Sequence, residues 1–358
     1  MAFDFRSLFS SGNPALLGID LSSSSVKLVE LSGTLEHGLK LERYAIEPLP
    51  RGAITDGNIE SLELVIECVR RAVKRSGTKV RNAALALPTA AVITKKIMLP
   101  AGLSEEVLEI QVESEANQYI PFALDEVALD FSVIGPASGS EDLEILLAAS
   151  RKEKVEDRVA VAQGAGLKAL VMDIESFAAR ATTERVINLM PHQGEGQIIA
   201  LFSIGANTTS ISVMLNGQAI YEREQAFGGN QLTSDISRAY GLSFEEAEAR
   251  KKLGDLPENY EQDLLQPFAD SIALEVTRAL QFFFTSTPYS RVDQILLAGG
   301  CAVIPGLVDV VGSRTQAATS VLNPFKGMET GTLLRDKQIR LDAPSLLIAT
   351  GLALRRFG

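Results

Sequence analysis

Leu17-Gly18-Ile19-Asp20-Leu21-Ser22-Ser23-Ser24-Ser25-Val26-Lys27-Leu28-Val29-Glu30-Leu31 is two apolar stretches joined by four consecutive serines. The pattern predicts a strand over 15–21, a tight turn and a returning strand over 26–31, with a third strand over 39–46 after His37-Gly38. A turn of small residues lets successive backbone N–H groups converge on an anion, and serine hydroxyls add donors. Asp20, ending the first strand, is placed to hold a hydrated Mg²⁺, which prefers oxygen ligands and keeps its waters. Lys27 is placed to reach a phosphate as a point charge. Alone, the same residues also make an ordinary hairpin.

The second half of the chain repeats the arrangement. Strands are expected over 198–203 and 210–215 around Gly205-Ala206-Asn207-Thr208-Thr209, then the hairpin turn Asn216-Gly217 and a return strand over 218–224. Two such units imply duplicated lobes, gripping a polyphosphate from opposite sides. A third feature, Leu296-Leu297-Ala298-Gly299-Gly300-Cys301-Ala302-Val303-Ile304-Pro305-Gly306, follows an apolar strand over 294–298. Its glycines let backbone approach a flat ring, and Pro305 is expected to open the next helix.

Between these units Ile59, Leu62, Ile66, Val69 and Val73 recur at helical spacing, giving a helix over 59–75 stopped by Gly77. Strands follow over 83–87 and 92–99. A helix is expected from a Ser104 cap to about 119, halted by Pro121. Strands over 128–134 and 143–150, a helix over 152–164, a strand over 168–173 and a helix over 176–187 complete the first half. Helices over 231–240, 244–252, about 263–285 and 344–355 belong to the second. The fold class is α/β, two duplicated lobes around a cleft with a small α/β subdomain inserted in the first.

Composition narrows the function. The chain has 358 residues and a net charge of −11, and no basic stretch stands out, which argues against nucleic acid. Two cysteines (Cys68, Cys301) and two histidines (His37, His192) exclude a disulfide framework and most Cys/His metal or triad chemistry, and suit a reduced, cytoplasmic protein. No apolar run reaches the ~18–20 residues that span a bilayer, so no direct membrane insertion is expected. The first residues carry Phe3, Phe5, Leu8 and Phe9 without a signal-peptide pattern, and read as a frayed tail or a partner-binding arm.

The two hairpins and the strand-Gly-Gly-…-Pro-Gly segment, in this order, resemble the actin-like ATPase superfamily (ribonuclease H-like fold). Over about 15–355 the chain resembles the PilM family of type IV pilus assembly, cytoplasmic actin-like proteins related to FtsA. The serine hairpin, Tyr119-Ile120-Pro121-Phe122 with Glu126 and Asp130-Phe131, and Phe227-Gly228-Gly229-Asn230-Gln231-Leu232-Thr233 carry the likeness. It implies an arm (1–14), a first-lobe core (15–82, resuming at 167–195), an inserted family-specific subdomain (83–166), a second lobe (196–340) and a C-terminal helix (341–358). It implies ATP and Mg²⁺ as ligands. ATP-binding roles fall to Asp20, Ser23, Ser24, Ser25, Lys27, Ser203, Gly205, Asn207, Thr208, Gly299 and Gly300, and a ribose-holding role to Glu248 and Lys251, which otherwise read as a solvated helix face. Asp20 would hold the metal through water.

One position departs from the pattern. Ser203 stands where the second phosphate motif usually opens with an aspartate that positions magnesium and the attacking water. Serine has no charge for either task. Nucleotide binding is expected to survive, hydrolysis to be weak or absent, and no catalytic residue is assigned. The resemblance also implies a partner, the N-terminal cytoplasmic segment of a PilN-type inner-membrane protein. Tyr119, Ile120, Pro121 and Phe122 would anchor it, although Ile120 and Phe122 also suit the subdomain core. Such docking would hold the protein at the inner membrane; self-association stays open. An FtsA-like division tether and a small-molecule kinase on the same fold are the alternatives. The chain ends directly after its last helix, without a tether's amphipathic segment, and shows no kinase carboxylate motif.

Overall fold

The computed structural model describes residues 14–137 and 139–357; the expected arm over 1–14 falls outside the described residues except for its last position. The chain opens with β1 (Leu17–Leu21), β2 (Ser25–Thr34) and β3 (Gly38–Pro48), an antiparallel meander. β1 is buried along its length, so it reads as an apolar run broken only by Asp20. A short hairpin, β4 (Ile54–Thr55) and β5 (Asn58–Ile59), leads to α1 (Leu62–Ser76). α1 buries Val65, Cys68, Val69 and Ala72, and ends at Gly77, whose φ of 66° lets its N–H reach the carbonyls of Val73 and Lys74. β6 (Asn82–Leu87) then lies parallel to β1.

β7 (Ile93–Pro100), α2 (Glu105–Ala116), β8 (Val127–Pro136) and β9 (Asp142–Arg151) follow. They form a separate three-stranded sheet, ordered β7-β9-β8, whose core joins Val112 and Ala116 of α2 to Ile97, Ile145 and Leu147. The boundary expected at 83 cuts into β6, a strand of the first-lobe sheet. α3 (Lys152–Gly164), also placed in the insertion, buries Val161 and Ala162 in the first-lobe core. The inserted sheet therefore runs from β7 to β9. α2 stops at Ala116 rather than near 119, because Ile120 must turn extended before Pro121 and is buried there. Ser104 sits at its N-terminus but makes no side-chain cap; its carbonyl accepts from the Leu108 N–H.

β10 (Lys168–Ile174) pairs parallel to β6, and α4 (Glu175–Ile187) leads into the second lobe. There β11 (Ile198–Ile204), β12 (Thr209–Leu215) and β13 (Gln218–Gln225) form the second meander, turning at Asn216 and Gly217 with φ of 51° and 75°. α5 (Asn230–Tyr240), α6 (Phe244–Leu253), α7 (Gln266–Ser286), β14 (Gln294–Ala298), α8 (Leu307–Thr315) and β15 (Ala318–Val321) complete it. Three boundaries differ from expectation. The helix expected from 263 opens in a wider π-type turn over Glu261–Leu265. α8 starts after Gly306, whose φ of 75° no proline-led helix start would need. The terminal helix is a tight turn over Ala343–Leu346 followed by an α-helix.

The two sheets share one topology, β3-β2-β1-β6-β10 in the first lobe and β13-β12-β11-β14-β15 in the second, each a meander followed by two parallel strands. After the second lobe the chain returns: β16 (Glu329–Thr330) pairs with β3, α9 (Asp336–Asp342) follows, and α10 (Leu347–Leu354) lies against β1 and α4. Glycines permit that close approach, since a Cβ on Gly18 would overlap Ala349 and one on Gly351 would overlap Ala178. Among the described residues no helix is long and apolar enough to cross a membrane. One expectation fails outright: Arg70, Arg71, Lys74, Arg75, Lys79 and Arg81, all exposed, do make a basic stretch at the end of α1.

Candidate functional site

The serine turn joins β1 to β2 at one end of the first-lobe sheet. The Ser22 N–H and hydroxyl both donate to the Ser25 carbonyl, at 3.1 and 2.9 Å, which closes the turn. Ser24 is fixed through its carbonyl, which accepts from the Leu49 N–H at 3.0 Å. Asp20 is buried, and its carboxylate lies 2.8 Å from the Lys27 ammonium, which also donates to the Ser22 hydroxyl at 3.0 Å. The lysine thus satisfies a carboxylate that would otherwise be costly to bury. It stands beside the serine turn as a point charge.

The second turn is built the same way from different atoms. The Gly205 N–H donates to the Thr208 carbonyl at 2.9 Å. The Phe227-Gly228-Gly229-Asn230 segment braces this loop. The Gly229 N–H reaches the Gly205 carbonyl at 2.9 Å, the Asn230 N–H reaches the Ala206 carbonyl at 2.8 Å, and the Asn230 amide reaches Asn207 at 2.6 Å. Gly228 is required there, because a Cβ would lie 2.5 Å from the Ala206 carbonyl oxygen. Ser203 pairs across the hairpin with Ser210, a hydroxyl pair on the rung where the first hairpin has Asp20 and Lys27.

On α6, Glu248 and Lys251 are 2.5 Å apart, with the Thr233 hydroxyl of α5 between them. That hydroxyl accepts from Lys251 at 2.6 Å and donates to Glu248 at 2.7 Å. Burial would raise the Glu248 carboxyl, but the Lys251 charge and the hydrogen bonds from Lys251 and Thr233 outweigh it and hold it at about 2. The pair is an ordered, half-buried polar cluster rather than a freely solvated face. Gly299 has φ of 84°, and a Cβ there would overlap the Ile204 backbone; Gly300 has nothing within 4 Å of where its Cβ would stand. The first glycine lets the end of β14 pack against the Ile204 backbone at the start of the second turn, and the second leaves its backbone open.

The sequence reading missed Glu175, the first residue of α4. Burial, then the charge of Asp20, push its carboxyl up to about 8 against the opposing pull of Arg158. Glu175 is thus in electrostatic contact with Asp20 of the first hairpin. Arg158 is itself buried and donates only to carbonyls, of Ala86 at 2.8 Å, Gly57 at 2.9 Å and Lys154 at 3.2 Å. It ties α3, directly after the inserted sheet, to the β4–β5 turn. Across the cleft the Arg51 guanidinium of the first lobe lies 4.5 Å from the Phe244 ring of α6, a contact between lobes. Glu175 falls at a strand–helix junction far from Asp20 in sequence, so only the folded sheet brings them together. Among the described residues no group of three or more His, Cys, Asp or Glu is arranged to hold a metal. Asp20 is the one carboxylate on the two facing hairpin rungs, which fits an ion held through water.

In the inserted subdomain the four aromatic-apolar residues divide. Ile120 is 6% exposed within the subdomain core. Tyr119 and Pro121 are exposed, and Phe122 is half-buried. The Arg151 guanidinium sits 4.2 Å from the Phe122 ring and the Lys95 ammonium 5.1 Å from the Tyr119 ring. This is an aromatic surface with cationic edges, pinned from below by Ile120.

Residues 18–357 match the family model described as type IV pilus assembly protein PilM. The chain belongs to the PilM family. The PilM fold is also evident from a solved PilM-PilN type IV pilus biogenesis complex, at 26% identity and a TM-score of 0.78, covering 97% of this chain and 99% of that one. The ethanolamine utilization protein EutJ from Carboxydothermus hydrogenoformans shares the fold at 17% identity and a TM-score of 0.55, over 96% of this chain and 90% of its own. Cell division protein FtsA of Escherichia coli strain K12 is 22% identical over 257 residues, 66% of this chain and 60% of FtsA. The match thus spans less than two thirds of that curated relative's length. This PilM-family chain has the two-lobed actin-like ATPase fold.

Proposed function

We propose that this chain is a nucleotide-binding scaffold of type IV pilus assembly. It takes ATP with Mg²⁺ between its two hairpins and binds the N-terminal cytoplasmic segment of a PilN-type membrane protein, which keeps it at the inner membrane. Support for the nucleotide comes from the paired hairpins: Lys27 and the serine turn on one side, the braced Gly205–Thr208 loop on the other, with the Glu248–Lys251 pair and the bare Gly300 beside them. Lys27 would contact the phosphates, and Asp20 would hold the hydrated cation, which would supply charge to the phosphate oxygens.

Hydrolysis is slow in this reading. Ser203 and Ser210 offer hydroxyls where a carboxylate would orient the attacking water. The partner reading rests on the exposed Tyr119 and Pro121 with the half-buried Phe122, an aromatic surface of the type that anchors peptides. The observation carrying the whole is the Asp20–Lys27 rung matched by an equivalent Ser203–Ser210 rung in a duplicated fold, which supports a phosphate grip without the second charge.

Calorimetric titration with a synthetic PilN-type N-terminal peptide, with and without ATP and Mg²⁺, tests this. Saturable binding that weakens in Tyr119→Ala, together with ATP binding without rapid turnover, is the expected result. No peptide binding in either state would remove the scaffold reading.

A further inference from the structure

A second charged feature lies at the end of the first lobe away from the cleft. Although the chain carries −11 overall, Lys74, Arg75, Lys79, Arg81 and Lys168 are exposed together where α1 ends and β6 and β10 begin, with Arg70 and Arg71 one turn back on α1. The Lys168 N–H donates to the Arg81 carbonyl at 2.7 Å, which joins the two strand starts. Little acid offsets these cations. Glu47 lies 2.7 Å from Arg71 and 3.7 Å from Arg75, and Glu67 lies 3.9 Å from Arg70. Arg81 donates to the carbonyls of Thr78 and Val80, which fixes its guanidinium without neutralising it. Among the described residues the side chains of Lys74, Lys79 and Lys168 make no ion pair and no hydrogen bond.

The chain also enters β1 beside this patch, for the Asn82 amide donates to the Ala15 carbonyl at 3.3 Å. Exposed lysines and arginines clustered on one end of the lobe match the chemistry of an anionic lipid surface, where cations meet headgroup phosphates. A nucleic-acid duplex suits the patch less well. The cations cap a helix end and two strand starts instead of lining a groove that could follow a duplex backbone.

We propose that this end of the first lobe rests on an anionic bilayer, with Lys74, Lys79, Lys168 and their arginine neighbours on the headgroups. The inference goes beyond the scaffold reading and needs no partner protein. It is tested by cosedimenting the full-length chain with phosphatidylglycerol/phosphatidylcholine vesicles and with phosphatidylcholine vesicles, at about 0.1 M and about 0.5 M salt, since screening shortens steeply over that range. Binding is expected to the anionic vesicles at low salt, to fall at high salt, and to be absent on phosphatidylcholine. A triple charge reversal, Lys74→Glu, Lys79→Glu and Lys168→Glu, is expected to weaken it about tenfold or more. The PilN-type peptide should bind the triple variant as it binds the original chain. Equal binding by the triple variant, equal binding to both vesicle types, or no binding would overturn the proposal. So would a DNA duplex that binds as tightly as the anionic vesicles at the same salt. Because the vesicles contain no protein, failure of the peptide titration leaves this result untouched, and the reverse also holds. The salt and lipid comparisons decide the matter even if the variant folds poorly.

Discussion

Lys27 and Asp20 face each other on one rung of the β1–β2 hairpin, 2.8 Å apart, and on the corresponding rung of the second hairpin Ser203 faces Ser210. In both hairpins six residues separate the partners of that rung, so the duplicated scaffold is preserved and only its charge differs. An ion pair on one hairpin and two hydroxyls on the other make the duplicated pair electrostatically unequal. In the proposed function, binding and hydrolysis would then be separable by single substitutions.

Replacing Lys27 with methionine leaves the buried Asp20 carboxylate without its cation. Stability is expected to drop by about 3 kcal/mol, the order seen when one member of a buried pair is removed. Asp20→Asn combined with Lys27→Met should recover most of that loss in urea unfolding. Nucleotide affinity should fall in both variants, because neither restores the phosphate contact.

Ser203→Asp puts a carboxylate on the second hairpin at the rung equivalent to that of Asp20. Magnesium-dependent ATP hydrolysis is expected to rise about tenfold or more, in line with the contribution of a positioned water-orienting group. Nucleotide binding should change far less. A phosphate-release assay reads the first quantity and a fluorescent nucleotide titration the second; unchanged turnover would show that the missing aspartate is not what limits hydrolysis.

Glu175 should make stability depend on pH. Its carboxyl is raised from 4.5 to about 8 by burial and by Asp20, so the folded chain keeps a proton that the unfolded chain releases near 4.5. This contribution is fully present below the unfolded value and is lost as pH rises through the folded one. The melting temperature should fall between pH 5 and pH 8, within that window, and Glu175→Gln should flatten the fall. Glu248 works in the opposite sense. Its carboxyl is held at about 2, so its contribution is present above 4.5 and disappears as pH drops toward 2.

Adjacent residues of the inserted subdomain should separate cleanly. Ile120 is core, and Ile120→Ala is expected to cost about 2–4 kcal/mol of stability through the cavity it leaves. Tyr119 is exposed, and Tyr119→Ala should leave the unfolding midpoint nearly unchanged while lowering peptide affinity. Thermal unfolding and calorimetry on both variants check the division.

Much of the site was readable from the sequence because its chemistry is local. A serine run between two apolar strands contains the turn, the carboxylate and the lysine within eight residues, and the hairpin geometry follows from that spacing alone. Gly299 was readable for the same reason, although its close approach to the Ile204 backbone was not. What escaped depends on distance along the chain. Glu175 reaches Asp20 only through the parallel pairing of β10, β6 and β1, and Arg51 reaches Phe244 only across two lobes. β6 was misassigned to the insertion because a short apolar strand shows nothing of which sheet it will join. The basic stretch at the end of α1 was hidden by an acidic total that averages over the whole molecule.

The return of the chain end to the first lobe has a consequence during synthesis. β16 pairs with β3, and α10 covers β1 through Gly18, so the first lobe has residues near position 350 in its interior. The first two hundred residues leave the ribosome without the helix that shields their central strand. The second lobe, whose strands and helices are nearly contiguous from β11 to β15, can close around its main core before them, taking Leu347 from the returning end on its other face. The half of the molecule made first is thus the half that finishes last. Until the final turn of α10 is released, its apolar sheet surface is open to chaperones or to aggregation.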